Sequence, residues 1–153
     1  MIVYRLAHFK YRNDLSGKGA ELAGGRWNSK GLALLYTGEN IALCAAEVAV
    51  HIPFGIMPDY YVLQFIQLPK TKIETIKTNT LPKDWMKIPY LSETKTIGDG
   101  FVKKEKSLVL KVPSAVIPYE FNYLINPNHS KFKSIELLET KPFEFDTRLF
   151  KSN

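Results

Sequence analysis

The chain has 153 residues, one cysteine and a formal net charge of +6, with a pI near 9.3. Its 45% hydrophobic and 24% charged residues suit one globular domain with one core, here taken as residues 1–153, and exclude a disordered or fibrous chain. No apolar run approaches the roughly 18 residues of a membrane span, no secretory leader opens the chain, and Cys44 alone forms neither a disulfide nor a metal site, so a cytoplasmic location is expected.

In chain order, "IVYRLA" alternates like a strand. "GGRWNSKG" then sets Arg26 beside an aromatic and an amide, between glycines that allow close backbone approach. The planar fork of arginine suits phosphate or carboxylate, although a turn with Arg26 in solvent reads equally from these residues. Trp27 plugs the core in either case. "LALLY" at 32–36 is a short buried strand, and in "TGEN" Thr37 or Asn40 caps the helix that follows. That helix runs from Ile41 to Val50 and is closed by Pro53. It is apolar except for Glu47. A carboxylate there either reaches water from an edge or is held by partners in a pocket, because an isolated buried charge costs too much. Cys44 in the same helix reads as a small packed hydrophobe.

"YYVLQFIQL" at 60–68 is a strand rich in aromatic and aliphatic residues. The middle of the chain reads as loops with two short helices, at 81–86 and 92–104. "LVLKV" is a buried strand ending at Pro113, directly followed by Ser114, whose hydroxyl either faces a site or caps a turn. "NYLINP" and "SIELLETKPFEF" are two more strands around "NPNHS". Asn122, Asn126 and His129 are polar groups in this apolar stretch, and turn formation accounts for "NPNH" without a function. His8, His51 and His129 lack ligand spacing, so no metal is expected. Lysines are spread from Lys70 to Lys151, with "KKEK" at 103–106 the densest group, which describes a solvated surface better than a nucleic-acid face. Strands outnumber helices and do not alternate with them, which gives an α+β class.

The order of these pieces carries more than any one of them. "GGRWNSKG", "LLYTGENIALCAAEVAVH", "TIGDGFVKKEKSLVLKVPSAVIPYEFNYLINPNH" and "FEFDTRLF" together resemble the RES domain family, the toxins of RES–Xre bacterial toxin–antitoxin systems. The resemblance spans nearly the whole chain and is thinnest at about 70–95. It implies a compact domain like the ADP-ribosyltransferases, with mixed or antiparallel sheets and short flanking helices. It also implies breakdown of NAD and growth arrest. By motif, Arg26, Tyr36 and Glu47 line the NAD pocket and Ser114 joins them as the catalytic set. Asn28 and Asn126 are counted with Arg26, Tyr36 and Ser114 as NAD-contacting residues.

The implied partner is an Xre-type helix-turn-helix antitoxin that obstructs the pocket, with room for a homodimer in the complex. No membrane, no direct nucleic-acid contact and no cofactor beyond NAD as substrate are expected. The acceptor stays open between water, inorganic phosphate and a protein side chain, the last making the chain an ADP-ribosyltransferase. Outside enzymes, the charge alone leaves a basic nucleic-acid-binding module as the alternative. One carboxylate suits NAD cleavage, because the pyridinium leaves as a neutral base and only a cationic, oxocarbenium-like ribose needs stabilising. A glycosidase needs two carboxyls.

Overall fold

The computed structural model describes residues 1–150. Seven strands form one mixed sheet: β1 (Ile2–His8), β2 (Leu35–Gly38), β3 (Tyr61–Gln67), β4 (Ile73–Thr75), β5 (Val109–Pro113), β6 (Phe121–Ile125) and β7 (Glu136–Phe143), in the order β4-β5-β6-β2-β1-β3-β7. Only β4 and β5 pair in parallel. Three α-helices flank the sheet: α1 (Lys18–Ala23), α2 (Ile41–Ala49) and α3 (Ser92–Lys104). Among the described residues no helix is long and apolar enough to cross a membrane.

The sheet is pinched in its middle. β3 pairs with β1 along seven residues, but β1 meets β2 at a single register pair, Tyr4 opposite Gly38. The two halves, β4-β5-β6-β2 and β1-β3-β7, therefore diverge at the β1–β2 line. Each half alternates sides as strands must. On β2 and β6, Leu35, Tyr123 and Ile125 join a core with Val3, Ile66 and Val109. The intervening Leu124 packs the other way, with Trp27, Trp85, Phe101 and Leu110.

The helices follow local signals. Asn40 caps α2, its Oδ1 accepting from the Leu43 N–H at 2.8 Å. α3 buries Thr94, Gly98, Phe101 and Val102, one stripe at helical spacing, and carries Lys103 and Lys104 in its last turn where the helix dipole favours them. α3 lies so close to the 24–31 turn that a Cβ on Gly98 would stand 1.6 Å from the Trp27 carbonyl oxygen.

The structure departs from the sequence reading in four places. The strand expected at 32–36 is shifted to Leu35–Gly38, so Thr37 lies inside β2 and donates to the Tyr123 carbonyl at 2.6 Å instead of capping. The helix expected at 81–86 is a pair of turns closed by Trp85 N–H to Pro82 and Lys87 N–H to Asp84. Pro89 has no N–H to offer the Trp85 carbonyl four residues before it, and that carbonyl accepts from Arg26 instead. α1 and the three-residue β4 are additions: α1 is short and exposed, and β4 exists only through its pairing with β5.

Candidate active site

A cleft of about 850 Å³ opens where β1 and β2 part, within the range of small-molecule sites. β1 contributes Tyr4 and Arg5, β2 contributes Tyr36, α2 contributes Cys44 and Glu47, and the 24–27 turn contributes Arg26.

Glu47 is half-buried on the cleft wall. α2 has no polar stripe: it buries Leu43 and Cys44, packs Ile41, Ala45 and Val48 against the neighbouring core, and turns Cys44, Glu47 and Val48 to the cleft. The Glu47 Oε1 accepts from the Ser114 hydroxyl at 2.9 Å and from the Asn122 amide at 2.7 Å. Ser114 is itself fixed, its Oγ accepting the backbone N–H groups of Val116 and Ile117 at 3.0 and 3.1 Å. Those two N–H groups occupy the oxygen's lone pairs, so its proton is directed to the carboxylate. The Oε2 accepts nothing among the described residues. Glu47 is thus oriented by two donors through one oxygen, with the other left for a ligand.

Arg26 is held differently. Its Nη1 donates to the carbonyls of Trp85 at 2.5 Å and Lys87 at 3.2 Å, and its Nη2 to that of Met86 at 3.1 Å. The guanidinium also lies 4.7 Å from the Tyr90 ring centre and 5.9 Å from that of Trp85, both within cation–π range. Three of five N–H donors are spent on backbone, leaving Nε and one Nη2 proton. Burial lowers the pKa of this guanidinium, opposed by Tyr90, Glu47 and Tyr36.

The Tyr36 hydroxyl donates to Asn28 Oδ1 at 2.8 Å and accepts from the Trp27 N–H at 3.1 Å. Both its hydrogen-bonding roles are filled, and burial raises its pKa. What Tyr36 presents to the cleft is its ring. The glycine before Arg26 is required here: a Cβ on Gly25 would stand 2.7 Å from that hydroxyl. Cys44 is buried, its Sγ facing the Tyr4 carbonyl at 3.2 Å, and burial pushes its thiol up to about 12. It is a packed neutral group on this wall.

Of the residues singled out by sequence, Arg26, Tyr36 and Glu47 line the cleft, and Ser114 stands directly behind Glu47. Asn28 does not line it. Fully buried, it gives Nδ2 to the carbonyls of Ala20, Ser29 and Leu32 and braces Tyr36 from behind. Asn126 is placed away from the others. Its amide ties β6 to the Val102 carbonyl and accepts from the Asn128 N–H, and it is fully buried, so it has no face for a ligand in this cleft. His129 caps a 3-10 turn, accepting from the Lys131 N–H. Asn122, noted by sequence as a polar group without an assigned role, is a direct partner of Glu47. Arg5 and Tyr90 also line the cleft. Arg5 spends Nη1 on the Asp14 carbonyl and Gln64 Oε1 and keeps its other donors. In the sequence it was hidden at a strand position where an outward-facing polar residue is ordinary.

A family model described as RES domain matches residues 2–146. Toxin Res of Photorhabdus laumondii is 36% identical over 154 residues, covering 99% of each chain. A protein of a Sphingobium species named Prs ADP-ribosylating toxin is 32% identical over 142 residues, covering 91% of this chain and 88% of its own. In the crystal structure of the Mycobacterium tuberculosis MbcT–MbcA toxin–antitoxin complex, one chain superimposes with a TM-score of 0.75 at 19% identity, over 94% of this chain and 84% of that one.

Proposed function

The chain belongs to the RES domain family, and from that premise we propose that it is the toxin of a toxin–antitoxin pair whose cleft binds NAD and breaks its nicotinamide–ribose bond. The observation that carries the reading is the Glu47 carboxylate, fixed through one oxygen by Ser114 and Asn122 on the wall of the cleft. NAD enters as substrate. As the bond lengthens, positive charge grows on the ribose, and a preorganised carboxylate stabilises that charge without reorganising at the moment of reaction. The remaining Oε2 faces the cation or a ribose hydroxyl.

Arg26 and Arg5 supply the positive side of the cleft for the diphosphate, through the donors not spent on protein carbonyls. The Tyr36 ring packs on the nicotinamide or its ribose. The chemistry calls on no further cofactor, because the pyridinium departs as a neutral base. The partner on this reading is a helix-turn-helix antitoxin of the Xre type that obstructs the cleft; the toxin–antitoxin complex named for the structural relative supports an antitoxin partner.

A second reading rests on the relative named as an ADP-ribosylating toxin: the same ribosyl cation is captured by a protein side chain. Incubating the purified protein with NAD, with and without phosphate or cell lysate, and resolving products by mass separates the outcomes. Free nicotinamide with ADP-ribose supports hydrolysis, a phosphorylated ADP-ribose supports phosphorolysis, and a lysate protein gaining an ADP-ribosyl mass supports transfer. Intact NAD in every arm would falsify the proposal.

A further inference from the structure

We propose that His51 is the acceptor-side residue of this cleft: it orients the oxygen that attacks the ribose and takes up its proton. The inference rests on the NAD-cleaving reading of the same site and adds a residue to it. His51 follows Glu47 by four residues, in the turn that continues α2 through the His51 N–H to Val48 carbonyl bond at 3.0 Å. Residues four apart on such a turn lie on one face. Both line the cleft, with Val48 on the wall between them and Val50 and Ile52 beside His51. If Glu47 faces the ribosyl cation, His51 stands one turn away at the open rim, where an acceptor arrives from solvent.

Arg5, Arg26, Tyr36, Cys44 and Glu47 on the same wall are each anchored by protein partners. Arg26 holds three carbonyls, Tyr36 holds Asn28 and Trp27, and the Cys44 thiol faces the Tyr4 carbonyl. Glu47 is held by Ser114 and Asn122. His51 is exposed and makes no side-chain hydrogen bond, ion pair or ring contact among the described residues. The cleft also holds the phenols of Tyr4, Tyr61 and Tyr90, but a phenol does not accept a proton near neutrality, whereas an imidazole does.

The step balances without an oxidant or a further reactant. The C1′–N bond breaks with its electron pair going to nicotinamide, which departs neutral. The oxygen of the acceptor water closes on C1′. The proton it sheds passes to an imidazole nitrogen and on to solvent.

The test is His51→Ala, which removes an exposed side chain without a partner and leaves folding as in wild type. Turnover of NAD is measured in water and in water–methanol mixtures, with ADP-ribose and its methyl glycoside quantified. The expected result is a kcat lower by roughly a hundredfold, with KM for NAD unchanged and the water-to-methanol product ratio shifted. A merely structural role does not move that ratio. Unchanged kcat and ratio in a variant that melts like wild type overturn the proposal. So does a lower kcat that tracks a lower Tm at a constant ratio. Absence of nicotinamide release by wild type in the same assay removes the NAD reading itself, an outcome distinct from failure of His51 alone.

Discussion

Arg26 and Glu47 line one cleft but are fixed by different means. The guanidinium is gripped by the backbone carbonyls of Trp85, Met86 and Lys87 and by the ring faces of Trp85 and Tyr90. The carboxylate is gripped by two side chains, Ser114 and Asn122, from the ends of the β5–β6 connection. Carbonyls are supplied by any sequence that follows the same path, so the Arg26 cradle depends on loop shape and on arginine itself. The Glu47 cradle depends on the identity of each donor. Substitutions should therefore separate the two: the cation fails only when it is itself replaced, whereas the carboxylate weakens one partner at a time.

The largest effect is expected at Glu47. Glu47→Gln keeps an Oε1 able to accept from Ser114 and Asn122, and it removes the charge. Losing one preorganised electrostatic group costs roughly a hundred- to thousandfold in kcat. Calorimetry should show an unchanged Tm, and cells should tolerate the variant without antitoxin. NAD consumption within about threefold of wild type, less than 1 kcal/mol of barrier, would remove the electrostatic role.

Arg26→Lys comes next. An ammonium cannot serve three carbonyls and a ligand with a fork's geometry. The variant should bind NAD roughly tenfold or more weakly and unfold with about 1 kcal/mol less stability, because the carbonyl of buried Trp85 loses its donor while those of exposed Met86 and Lys87 turn to water. A denaturant midpoint and NAD affinity equal to wild type would show that the carbonyl cradle is incidental.

Ser114→Ala and Asn122→Ala should each cost about tenfold in kcat, the rate equivalent of one hydrogen bond to a charged group. The double variant should be non-additive, because both donors orient the same oxygen. Strict additivity in that cycle would mean that the two residues act on different things.

The smallest effect is expected at Tyr36. Its hydroxyl is spent on Asn28 and Trp27, so Tyr36→Phe should lower stability by about 1–2 kcal/mol with little change in kcat. Tyr36→Ala should lose activity as well, with the ring. Equal kinetic losses in both would assign the hydroxyl to the ligand.

The same contrast explains what the sequence could show. α2 was legible because an N-cap asparagine, an apolar run and a following proline are local signals, and the lone Glu47 stood out against that run. The short helix expected at 92–104 matches α3. The grip on Arg26 was not legible, because backbone carbonyls leave no residue signature and the 81–90 segment has no periodicity. Misreading 81–86 as a helix hid them further, since a helix would have used the same carbonyls internally. Asn28 and Asn126 were visible as polar residues in the right motifs. Sequence cannot tell an amide that faces a ligand from one that braces a turn, and both are fully buried braces. Arg5 was missed because the β1–β2 split that exposes it depends on long-range register. The parallel pairing of β4 is likewise set at a distance, by β5.

The most direct test of the account is a crystal structure of the Glu47→Gln protein soaked with NAD, which this variant should hold uncleaved. The account predicts intact dinucleotide in the cleft at the β1–β2 split, with the ribose C1′ beside residue 47, the Tyr36 ring against the nicotinamide or its ribose, and the diphosphate within reach of Arg26. Dinucleotide bound elsewhere on the chain, or in the cleft with its diphosphate at residue 47 and its nicotinamide ribose remote from it, would contradict the account.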